Sequence, residues 1–140
     1  MTAPPEGADL DEPRLWTIGD LNRRASLAVV KDFRGQVWTA GELARLDDRR
    51  GHRYLQLVER GGGRDGRDAH LEGFCSATKW HRLEKKLADA GVELRAGQRL
   101  KLLGCLDIGD RGRLTLTIDD VDVAALVGDR LRARRRWCSA

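Results

Sequence analysis

Apolar and polar positions first repeat with the period of a helix and then, from Gln36, with the period of a strand. Leu21, Ala25, Ala28 and Val29 share one helical face, and Thr17 with Asp20 forms a capping box ahead of them. The spacing predicts a short amphipathic helix to about Lys31, which Gly35 helps to end. Beyond it Val37, Thr39, Gly41 and Leu43 fall on one side of a first strand, and Trp38, Ala40 and Glu42 on the other. Ala44–Gly51 reads as a charged loop. The run His52–Glu59 alternates again, with Leu55 and Leu57 inward and Tyr54, Gln56 and Val58 outward, as a second strand.

Arg60–Asp68 holds four glycines and no apolar residue, the composition of a flexible hairpin loop with a mobile tip. Ala69–Ser76 follows as a third strand with Leu71 and Cys75 inward, and Gly73 marks a bend or bulge. Thr78 is placed to cap a helix whose Trp80, Leu83, Leu87 and Ala90 recur at spacings of three and four, with Gly91 as its C′ residue. Leu100, Leu102 and Leu106, a turn over Asp107–Gly112, and Leu114, Leu116 and Ile118 complete a closing strand pair. Five strands, one helix in front and one helix between the third and fourth form the order of the OB-fold. The expected class is therefore all-β with helices, a five-stranded Greek-key barrel.

The periodic region spans residues 16–126. Residues 1–15 mix Pro, Gly and acidic groups without periodicity, the composition of a disordered leader. Residues 127–140 form a basic tail or the start of a further, truncated C-terminal helix. No run reaches the roughly 18 apolar residues of a membrane span, and the amino terminus lacks the regions of a signal peptide, so a soluble, cytoplasmic protein with no membrane partner is expected. Cys75, Cys105 and Cys138 fit no disulfide framework or CxxC motif. Cys75 and Cys105 are expected as small buried hydrophobes on strands.

Net charge is +4, but the last thirteen residues contribute all of it through five arginines and one aspartate. Residues 1–127 balance 21 basic against 21 acidic groups, which removes bulk electrostatics as an argument for a polyanion partner. Of the 26 basic residues 21 are arginine, the side chain that forks onto phosphate and stacks on bases, although a GC-rich genome is the favoured explanation of the bias over selection for binding.

Barrels of this kind bind single strands by stacking bases on exposed aromatics while cations follow the phosphates. Tyr54, outward on the second strand and flanked by His52 and Arg53, is the candidate stacking residue. Arg45, Arg49 and Arg50 of the first loop, and Arg60, Arg64 and Arg67 of the second, are placed to meet phosphates. Asp47, Asp48, Asp65 and Asp68 lie among them, so a solvated charged loop is the equal alternative. Trp38 stacks on the first strand or, as its small neighbours favour, packs in the core or under the leading helix. Trp80 opens the second helix's apolar stripe and is expected in the core, whereas Phe74 has the outward phase but no assigned role. Arg130, Arg132, Arg134, Arg135 and Arg136 read as a charge run. No nucleophile elbow, phosphate loop or histidine pairing suggests catalysis, and Asp119, Asp120 and Asp122 read as a solvated strand end rather than a metal cluster. No cofactor or metal is implied.

Three phrases then carry a family resemblance. TIGDLN (Thr17–Asn22), VWTAGEL (Val37–Leu43) and GHRYLQLVE (Gly51–Glu59) resemble, in order, the TVSELN-like, VWVEGEI-like and GHxYFxLKD-like phrases of the amino-terminal domain of the bacterial exodeoxyribonuclease VII large subunit. Gly97–Leu106, Arg111–Gly112 and Leu114–Val121 continue the likeness, which covers about Trp16 to Leu126. The resemblance implies an OB-fold that guides single-stranded DNA to a nuclease degrading it to oligonucleotides in repair and recombination. Its site residues would be Tyr54, Arg53, Arg45, Arg49, Arg50, Trp38 and His52. The family continues into a catalytic domain and into helices that recruit small subunits. This sequence stops at Ala140, so a truncated or stand-alone domain without its own catalytic centre is expected, with the nuclease domain or small subunit as candidate protein partners. Where the family's third strand often ends in an aromatic and a basic residue, this chain reads Ser76-Ala77, and Ile108 or Gly109 stands in place of an aromatic at the last hairpin. Two alternatives stay open: a protein-interaction or regulatory module that has lost DNA binding, and an RNA-binding barrel such as an anticodon module.

Overall fold

A computed structural model describes residues 13–124 and 126. Most of the leader, the arginine-rich tail and Cys138 lie outside the described residues. The elements run α1 (Ile18–Phe33), β1 (Gln36–Arg49), β2 (His52–Glu59), a single 3-10 turn (Arg64–Gly66), β3 (Ala69–Cys75), α2 (Ala77–Asp89), β4 (Arg99–Ile108) and β5 (Leu114–Val121). The strands close into a barrel in the order β1-β2-β3-β5-β4, with β3 and β5 parallel and every other pair antiparallel. This is the expected five-stranded OB-fold.

Inward residues of all five strands meet two leucines of α2, and Leu126 beyond β5, in one core: Leu43, Leu55, Leu57, Cys75, Leu83, Leu87, Leu100, Leu102, Leu106, Leu116, Ile118, Val121 and Leu126. Cys75 takes its expected place there, and burial pushes its thiol up from the usual range. Cys105 does not. It falls in the odd, outward phase of β4 and is exposed, because its neighbours Gly104 and Leu106 hold the inward positions. Leu114 is exposed at the start of β5, while Val58, outward in phase, is buried outside the central cluster.

The largest departure concerns Ala44–Gly51, expected as a loop. β1 runs unbroken to Arg49, and only Arg50 and Gly51 connect it to β2. Both have positive φ, 56° and 87°, which a type I′ hairpin turn requires and which glycine adopts without strain. Asp48 accepts the Gly51 N–H at 2.9 Å and secures the turn. A charged, arginine-rich sequence concealed the strand because its polar residues all lie at a barrel end or on the outer face.

Thr17 caps α1 as expected, its Oγ1 accepting the Asp20 N–H. The helix packs on β4 through a rotated face. Asn22 donates to the Asp110 carbonyl, and Ser26 Oγ accepts the Ile108 N–H, leaving Leu21 and Leu27 exposed. Ser76, not Thr78, caps α2, because its oxygen reaches the Lys79 N–H. Gly91 stands at C′ with φ 71°, and the Val92 N–H returns to the Leu87 carbonyl. Gly73 lies in an unbroken β2–β3 register rather than at a bulge. A Cβ there would come within 3.0 Å of Ile118 Cδ1, so the glycine permits close approach across the barrel. The glycine-rich loop is tied at its base: Arg60 bridges Glu42 and Asp68, and Asp68 accepts the Gly61 N–H.

Candidate nucleic-acid interface

The outer face of β1, β2 and β3 owes its composition to one extra residue. Through Leu43, odd-numbered positions of β1 point inward; continued, that phase would bury Arg45, Asp47 and Arg49. Between Leu43 and Arg45 the β1–β2 register shifts, and Ala44 is the inserted residue of the bulge. Leu46 becomes the next inward position, opposite Leu55, and the three charged side chains turn outward. The bulge sits where β1 changes partners from β4 to β2. There the Leu43 N–H and C=O bond Gln98 and Gly97, both at 2.7 Å.

Tyr54 occupies the centre of this face, opposite Asp47 of β1 and Phe74 of β3. It is 39% exposed, and its ring lies 5.2 Å from that of Phe74 at 56°. The Arg49 guanidinium lies 5.1 Å from the Tyr54 centroid, in cation–π range. Arg45 pairs with Asp47 at 2.8 Å. From the far side, the β4–β5 hairpin contributes Arg111 and Arg113, the latter 2.6 Å from Glu72. These residues with Gln56 and Thr115 line an open groove of about 510 Å³. Two adjoining rings, four arginines and two carboxylates thus share one surface.

Arg111, Arg113 and the pairing of Phe74 with Tyr54 escaped the sequence reading. The Arg-Gly-Arg of the β4–β5 turn and the outward phase of Phe74 were visible signals, but only barrel closure brings them beside Tyr54.

The remaining expected site residues lie elsewhere. Arg53 has the inward phase at the barrel's end. Its side chain is 19% exposed, pairs with Asp48 at 2.9 Å, donates to the Gly51 carbonyl and lies 5.0 Å from the Trp80 ring centroid. His52 Nδ1 accepts the Ala77 N–H at 3.0 Å, so the imidazole completes the start of α2 while its ring stays 5.6 Å from Phe74. Arg50 projects from the turn tip. Trp38, favoured for core or helix packing, is instead 49% exposed, with Lys101 Nζ 5.3 Å from its ring centroid. It pairs with β4, nine residues along β1 from Asp47 and on the other side of the Ala44 bulge. Trp80 packs against the core as expected.

Asp119 and Asp120 serve α2. Burial pushes both carboxyls up, but Lys79 and Gln36 at Asp119, and Lys86 and the Val121 N–H at Asp120, hold both below the usual range. Among the described residues no group of three or more acidic, histidine or cysteine side chains is placed to hold a metal ion, and no helix is long and apolar enough to cross a membrane.

Residues 16–122 match the family described as "OB-fold nucleic acid binding domain". Among solved structures, a small single-stranded DNA binding protein from Mycoplasma pneumoniae is similar at 13% identity and a TM-score of 0.46, over 63% of this chain and 91% of that one. The S. pombe Stn1-Ten1 complex gives 13% identity and 0.48 over 74% and 73%. The N-terminal domain of PriB protein from Thermoanaerobacter tencongensis gives 19% and 0.41 over 63% and 93%. Likenesses this distant bear on neither ligand nor mechanism. No curated protein matches the chain.

Proposed function

The chain belongs to the family of OB-fold nucleic acid binding domains, and we propose that its β1–β2–β3 face binds single-stranded DNA. In this reading it is the substrate-guiding domain of an exodeoxyribonuclease VII large subunit, as the three sequence phrases suggest. The observation that carries the proposal is the Tyr54–Phe74 ring pair, exposed on an outer face and bordered by Arg45, Arg49, Arg111 and Arg113. A base stacked on such a ring gains about 1–3 kcal/mol whatever its identity, and arginines fork onto the phosphates beside it. Asp47 and Glu72 offset two of the four arginines, so binding is weak and salt-sensitive. Each phosphate neutralised adds about −0.7 to the slope of log affinity against log salt for a single strand.

Fluorescence anisotropy with a labelled oligo-dT at low and moderate salt tests this. Binding at low salt that weakens with added salt and falls at least about fivefold in Tyr54→Ala is expected. No binding at low salt, or binding indifferent to Tyr54→Ala, sinks the proposal. Oligo-dU and oligo-U in the same assay separate DNA from RNA, because only the 2′-hydroxyl distinguishes them.

A further inference from the structure

An anion is a liability on a surface that meets phosphates, yet Glu72 sits in the middle of this one. Its register partners are Gln56 of β2 and Thr115 of β5, and it lies two residues from Phe74 on the same outer side of β3. Its Oε1 accepts from Arg113 Nη1 at 2.6 Å, and 44% of the side chain remains exposed along the groove. No other hydrogen bond reaches this carboxylate among the described residues. A carboxylate offers two oxygens and about four lone-pair sites, all accepting, so most of its capacity is open to a ligand.

We propose that Glu72 and Arg113 form a base-selecting pair that favours guanine over thymine beside the Tyr54–Phe74 rings. The inference rests on the single-strand reading above. In a single strand the Watson–Crick edge of a stacked base is free to be read. The guanine edge presents the O6 acceptor next to the N1–H and N2–H₂ donors. A carboxylate accepts both donors, and an adjoining guanidinium meets O6. Cytosine and adenine each offer one amine to the carboxylate. Thymine offers a single N3–H between two carbonyl oxygens, both of which the carboxylate repels. Gln56 donates and accepts equally and adds no preference. The rings tolerate every base, so discrimination falls to this pair.

If Glu72 served only to restrain Arg113, its removal would strengthen binding to every strand alike. Oligomers of about ten thymidines, with the central three positions replaced by dG, dC or dA or left as dT, separate the two cases by anisotropy at low salt. The central-dG oligomer is expected to bind about tenfold tighter than all-dT, with dC and dA between them. Glu72→Gln keeps the side-chain shape but presents an N–H where the base donors approach. It is expected to bring the dG:dT ratio within about twofold by weakening the central-dG oligomer relative to all-dT. Arg113→Gln is expected to reduce the same ratio through loss of the O6 contact. Equal binding of all four oligomers by the unaltered protein overturns the proposal, as does a Glu72→Gln variant that shifts all four by one common factor. Binding without preference removes only base selection. Absence of binding to every oligomer removes the single-strand reading and base selection together.

Discussion

Arg49 and Arg53 stand on either side of one two-residue turn, and each guanidinium lies about 5 Å from an aromatic centroid, 5.1 Å for Tyr54 and 5.0 Å for Trp80. Their surroundings make them different groups. Arg53 is mostly buried and spends donors on Asp48 and the Gly51 carbonyl, so it fastens the turn and the barrel's end to α2. Arg49 has no ion-pair partner among the described residues and lies over a ring that solvent reaches. A cation on an aromatic ring is therefore no sign of a ligand site by itself. What separates the two is whether the remaining donors and the ring's surface are already used by the fold.

Tyr54→Ala should produce the largest effect, about fivefold to a hundredfold weaker binding to oligo-dT, with the melting temperature little changed because the ring is an outward side chain. A large loss of stability instead would place Tyr54 with Arg53 on the structural side of the comparison. Arg53→Ala should do the reverse. It removes a cation–π contact and the ion pair with Asp48 and leaves the Gly51 carbonyl without its side-chain donor, while Asp48 keeps the Gly51 N–H, at about 1–3 kcal/mol of stability by chemical denaturation, with affinity changed less than about twofold. Arg49→Gln should weaken binding about threefold and lower the salt slope by about 0.7, which anisotropy across a salt series reads directly. An unchanged slope would show that Arg49 meets no phosphate. Trp38→Phe should be smallest, under about twofold for a short oligomer, since Trp38 lies on the part of β1 that pairs with β4 and does not line the groove at Tyr54. A loss as large as that of Tyr54→Ala would join the two surfaces into one binding path.

The strand order, both helices, the inward leucines and Tyr54 were legible because each rests on local periodicity. Leu55 and Leu57 alternate with Tyr54 and Gln56 in sequence as they do in space. The charged end of β1 was not legible, because Asp47, Asp48 and Arg49 have the composition of a loop and their pairing with β2 depends on a turn that puts Arg50 at positive φ. Nor could the sequence distinguish the roles of His52, Arg53 and Tyr54. Three adjacent residues point to the start of α2, the end of the barrel and the open groove, and α2 lies more than twenty residues away in the chain.

By itself, then, the amino-acid sequence determined the five-strand order, the core face of each strand as far as its period held, and the ring at the centre of the outer face. The tertiary structure alone decided which charges join that ring. Period two is blind to a one-residue insertion, and the bulge at Ala44 turns Arg45, Asp47 and Arg49 from inside to outside. Barrel closure then brings Arg111 and Arg113 from the β4–β5 hairpin to Glu72 and Phe74, a juxtaposition between residues about forty positions apart that no local pattern records.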